Sequence, residues 1–220
     1  NIQDFPETLW QSLINHSVII PTSLNVISYY ETFNHDSYCD IFISKLENGA
    51  PNKITLNLSQ SDAATRMIER YNLPELFIRD VMSSIKTRSI KSLPDDASVS
   101  NIQILAENDK VFLNSSTYSQ INSLPQETKT TVYINQLNSY ISLANSYSTD
   151  NETVLSILDS VVNSKGKNEI DSLINLLVQR VVFKASYSDQ LVTLLLNHDK
   201  IQHSSYSALI CEHKSNGIVL

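Results

Sequence analysis

"ITLNLSQSDAATRMIERYNLPELFIRDV" (residues 54–81) passes from an alternating apolar run into a capped amphipathic segment, halts at Leu73-Pro74 and resumes. Ile54, Leu56 and Leu58 alternate with polar neighbours, which predicts a strand over 53–59 with one buried face. Ser59, with Asp62 in the next turn, predicts an N-cap and a helix over 60–71. Ala63, Met67 and Tyr71 then share a face, with Ala64 and Ile68 beside it. Pro74 suits the start of a second helix, expected over 74–90, on which Phe77, Val81 and Ile85 form a stripe widened by Ile78 and Met82.

On the N-terminal side, "PETLWQSLI" (6–14) reads as a short helix opened by Pro6. The β-branched and aromatic run that follows predicts a strand near 22–30, at an edge because of Pro21. "YCDIFISKL" predicts a strand over 38–46, and "ENGAPN" (47–52) is a turn by its Asn-Gly and Pro, so that 38–46 and 53–59 form a hairpin. A hairpin burying one face needs cover, and the two helices joined at Leu73-Pro74 would supply it. The expectation for residues 1–93 is thus an α+β part, followed by a linker at 92–98.

Residues 99–220 are expected to be mainly helical, a bundle or HEAT-like stack, apart from a hairpin over 102–113. Tyr133, Leu137, Tyr140, Ala144 and Tyr147 form one stripe; Val154, Leu155, Leu158, Val161 and Val162 form another behind the capping box Thr149-x-x-Glu152. The segment 169–183 is apolar on nearly all sides, which places Leu173, Leu177 and Val181 in a core. Ser188 is expected to cap a helix over 189–198, and 205–213 to form a last short one.

The 220 residues are 41% apolar and 18% charged, an ordinary globular balance. Glycine occurs three times, and neither GxGxxG nor GxxxxGK[ST] is present, which argues against nucleotide binding through glycine-rich loops. A net charge of −7 does not suit direct nucleic-acid binding. Against that balance, Arg66, Arg70, Arg79, Lys86, Arg88 and Lys91 meet only Glu69, Glu75 and Asp80, a basic surplus that either faces solvent or attracts an acidic partner. Two distant cysteines, Cys39 and Cys211, suit reduced thiols and an intracellular protein, cytoplasmic or nuclear. No apolar run approaches a membrane span, and the start at Asn1 reads as that of a fragment.

Catalytic chemistry finds little footing. His198 and His203 are off a common helix face, and the histidines with Cys39 and Cys211 do not assemble a zinc set, so no metal and no cofactor are expected. Neither cysteine sits in a nucleophile context, and no GxSxG or HExxH occurs. The expectation is a non-enzymatic protein-interaction module, with partner-binding candidates Glu47 and Asn48 at the turn and Arg66, Arg70, Arg79 and Lys86 on the helices.

Residues 46–85 resemble the PFU domain of the phospholipase-A2-activating-protein family. The matching positions are Glu47, Gly49 and Pro51 in the turn, Lys53, Asn57 and Ser59 in the strand, Ala63 and Ala64, then Tyr71, Leu73 and Pro74, then Asp80 and Val81. The resemblance implies a small α+β ubiquitin-binding fold in an adaptor of the AAA segregase pathway, with Glu47 meeting the basic rim of ubiquitin's apolar face. A second resemblance, through "IIPTSLNV" (19–26), "CDIF" (39–42) and "YNLPELFIRDVMSSIKTRSI" (71–90), is to a repeat of the core β-subunit of SWI/SNF-type remodellers. It implies a scaffold subunit of a chromatin-remodelling or other nuclear assembly.

Overall fold

The computed structural model describes residues 6–33, 36–46, 49–87, 89–112, 115–143, 151–165, 167–180 and 185–197. These form eleven helices and no sheet, so the fold is all-α and the expected α+β architecture is overturned. The chain divides into two compact units, Asn1–Leu124 and Pro125–Leu220, and residues 92–98 fall inside the first.

The first unit carries α1 (Glu7–Asn15), α2 (Ser23–Phe33), α3 (Asp36–Ser44), α4 (Leu58–Arg70), α5 (Glu75–Val81), α6 (Val99–Glu107) and α7 (Ser115–Ile121). The strand expected near 22–30 is α2. Thr22 and Asn25 close a reciprocal capping box: Asn25 Oδ1 accepts from the Thr22 N–H (3.1 Å), and Thr22 Oγ1 accepts from the Asn25 N–H (3.2 Å). Ser23, Val26, Ile27 and Tyr30 then fall on one buried stripe. That burial overrides the β preference of Val26, Ile27 and the two tyrosines. The strand expected over 38–46 is α3, which buries Cys39, Phe42 and Ile43 at helical spacing. The hairpin expected over 102–113 is largely α6, capped by Ser98, whose Oγ accepts from the Asn101 N–H (3.2 Å). The one β feature among the described residues is an isolated parallel bridge between Ile90 and Val111.

Residues 51–57 are extended but pair with no strand. The Asn52 N–H donates to Asp80 Oδ1 (2.7 Å) and the Ile54 N–H to the Asp80 carbonyl (3.3 Å). The Ser84 hydroxyl donates to the Ile54 carbonyl (2.6 Å) and accepts from the Leu56 N–H (3.2 Å). The run 51–57 is therefore a strap held largely by side chains at the end of α5. Asp80 is 6% exposed and also accepts from the Ser23 hydroxyl (2.6 Å), tying the strap to the start of α2. The cap of α4 lies two residues ahead of the expected Ser59, because Asn57 and Gln60 form the capping box.

Helix α2 packs on α3, α4 and α5, while α5 packs on α4 and α6. Ala63, Ala64, Met67 and Ile68 of α4 and Phe77, Ile78 and Val81 of α5 fill this core, as their periodicity predicts; the helix expected over 74–90 ends at Val81. Helices α1 and α6 close alike. Ser17 (φ 56°) and Asp109 (φ 59°) take the left-handed position after them. The next N–H reaches back to the helix in each case, Val18 to the Leu13 carbonyl (2.9 Å) and Lys110 to the Leu105 carbonyl (2.9 Å).

The second unit carries α8 (Gln126–Leu143), α9 (Asn151–Ser164), α10 (Lys167–Arg180) and α11 (Ala185–Leu196). Helix α8 packs on α9, and each then receives the helix two along, α10 on α8 and α11 on α9. This is the helical stacking expected here. Tyr133, Leu137, Val154, Leu158, Val161, Leu173 and Leu177 are buried in its core. Ser188 lies inside α11 rather than at its cap. Thr149, Val181 and the helix expected at 205–213 lie outside the described residues.

Candidate functional site

Of the six expected partner-binding residues, four are described: Arg66, Arg70, Arg79 and Lys86. Arg66 and Arg70 lie four apart on the exposed face of α4, with the Arg70 guanidinium 5.8 Å from the Tyr71 ring centre. Arg79 Nε pairs with Glu75 Oε1 at 2.6 Å on α5. Lys86 Nζ lies 3.9 Å from Asp62 Oδ1. Glu47 and Asn48 lie outside the described residues.

Arg79 instead lines a cleft of about 520 Å3 in the first unit, between the strap, the end of α5 and the end of α6. Lys53 and Lys110 join it there, with Pro51, Met82 and Ile104 as apolar wall. The Lys110 ammonium donates to the Ile85 carbonyl at 2.9 Å. On the rim, the Ser100 hydroxyl and Arg79 both donate to Glu75, Ser100 foremost, and hold its carboxyl below the usual carboxylate range.

The second unit carries a cleft of about 440 Å3 along α8. Thr131, Ile134, Asn135 and Asn138 line it at the spacing of a single helix face. Val161 and Lys165 close one side, and Ile170 and Leu173 of α10 form the floor. A more polar cleft of about 820 Å3 shares Thr131 and Lys165, so the two run on as one groove. There Gln126 Nε2 donates to Ser164 Oγ (3.2 Å) and links the start of α8 to the end of α9. The groove offers side-chain amides, hydroxyls, the ammoniums of Lys129 and Lys165 and the carboxylate of Glu127 over an aliphatic floor. Such groups donate to and accept from a polypeptide backbone, and the floor takes an apolar side chain. Composition did not reveal this groove, although the Thr131–Asn138 spacing was visible as the polar border of the Tyr133–Leu137 stripe.

Among the described residues, no group of three or more His, Cys, Asp or Glu side chains could hold a metal ion. Cys39 is buried within α3 and Cys211 lies outside the described residues. No described helix is long and apolar enough to cross a membrane. No family model, curated protein or solved structure matches the chain.

Proposed function

We propose that the protein is a non-enzymatic helical interaction module whose groove along α8 takes an extended segment of a partner polypeptide. The observation that carries this is the lining: a stripe of Thr131, Asn135 and Asn138 beside the aliphatic Ile134, Ile170 and Leu173. Uncharged amides satisfy a peptide backbone without the desolvation that fixed charges demand. The pair of widely spaced cysteines supports an intracellular setting, cytoplasmic or nuclear. The ubiquitin-binding reading leans on a hairpin, and the remodeller reading on two strands, where the chain forms α2, α3 and a strap.

A photo-crosslinking residue at Asn138 of the whole chain, in cell extract, tests the proposal. It should capture a polypeptide, and Thr131→Arg should abolish capture while a change at exposed Glu152 should not. Capture indifferent to Thr131→Arg, or turnover of any member of a broad substrate panel, would remove the reading.

A further inference from the structure

The cleft of the first unit shares no lining residue with the groove along α8. We propose that it is a docking site for an acidic peptide segment with interspersed apolar residues. The unit carries 14 acidic and 9 basic side chains, yet the described lining of this cleft holds three cations, Lys53, Arg79 and Lys110, and no acid. Lys53, Arg79 and Lys110 come from the strap, α5 and the turn after α6, and with Arg79 paired to Glu75 they leave a net positive charge at one concave spot.

The cations are also held in advance. Glu75 takes Arg79 Nε and leaves the other guanidinium nitrogens of the fork for a carboxylate. The Ile85 carbonyl fixes the Lys110 ammonium. Ordering already present need not be lost on binding. Lys53 is exposed on the strap and completes the set. Pro51, Met82 and Ile104 give the same cleft an apolar wall, which a bare phosphate or carboxylate would leave uncovered. The lining holds no aromatic ring on which a base could stack, so a peptide suits it better than a single-stranded nucleic acid. Sequence spacing concealed the site, because Lys53 and Lys110 fall on either side of the basic stretch 66–91.

Fluorescence anisotropy of the whole chain with a fluorescein-labelled peptide of repeated Glu-Glu-Leu tests the assignment. Binding should weaken as salt is raised from roughly 0.05 to 0.3 M, because screening shortens the reach of exposed charges. Lys53→Glu should weaken it about tenfold or more, and Lys53→Ala by less, with helical circular dichroism unchanged. Crosslinking from Asn138 should be the same in Lys53→Glu, so this site and the α8 groove fail or stand separately. Peptide affinity equal in wild type and Lys53→Glu would overturn the proposal. So would an oligothymidylate that binds more tightly than the peptide and is lost in the same variant.

Discussion

A chain with three glycines has few with which to close its helices, and at two described sites another residue takes the left-handed position. Ser17 and Asp109 hold positive φ after α1 and α6, where a Cβ crowds the backbone. Asp109 adds a buried carboxylate oxygen, Oδ1, without a hydrogen-bond partner. Ser17→Gly and Asp109→Gly should each raise stability by about 0.5–1 kcal/mol, the gain being reduced by the freer unfolded chain. The urea midpoint is the measurement, and Ser17→Ala, which keeps the Cβ, should not raise it. Asp80 sets the opposite case. Asp80→Ala strips acceptors from the Ser23 hydroxyl and the Asn52 N–H in a buried place and should cost about 1–3 kcal/mol. Tyr29 is buried, and its pKa is raised first by burial and then by its bond to Glu7, to which it donates at 2.6 Å. Its hydroxyl thus stays protonated to a higher pH in the folded chain, and that contribution is lost only in strong alkali.

Among the elements, those with an uninterrupted apolar stripe were legible. Helices α1, α4, α5, α8, α9 and α10 follow from Pro6, from the Met67 and Phe77 stripes, and from the Val154–Val162 and Leu173–Leu177 runs. Helices α2, α3 and α6 were not. Their composition favours strands, and their buried positions also satisfy a helical period, so short runs fit both templates. For α2 and α6 the caps favoured the helix as well, and Thr22-x-x-Asn25 and Ser98 were in the sequence to be weighed. The candidate site was less legible than the fold, because the cleft gathers Lys53, Arg79 and Lys110 across long sequence separations. Between α5 and α6, Glu75 accepts from Ser100 and Arg79 and is held below its ordinary pKa. A carboxyl with a depressed folded pKa stabilises above its unfolded value, and that contribution vanishes as the pH falls through the folded one. Glu75→Gln should therefore lower stability at neutral pH and converge on the wild type in acid, flattening the profile, as urea midpoints at stepped pH would show. A profile parallel to the wild type would refute the bond from Ser100 to the Glu75 carboxylate as its cause.

Each unit has its own core, and each core has a residue whose truncation should be costly. Phe77 and Leu177 are both 0% exposed. Phe77→Ala should destabilise by about 3–5 kcal/mol and Leu177→Ala by about 2–5 kcal/mol, through lost burial and the cavity left behind. Hydrogen exchange should rise in peptides from α2, α4 and α5 for the first, and from α8 to α10 for the second. Leu177→Ala costing under about half a kcal/mol would mean that α10 is not a core helix.

The strap has one further consequence. The strap, residues 51–57, carries the alternating run Ile54–Leu56 that the sequence favours as a strand, and what restrains it is largely Asp80 and Ser84. A segment of that kind, once released, is a template for cross-β stacking with its copies. Loss of the Asp80 side chain should therefore expose the strap to such stacking. Asp80→Ala should seed thioflavin-positive fibres well below the temperature at which the wild type loses its helices, and a second change, Leu56→Lys, should suppress them.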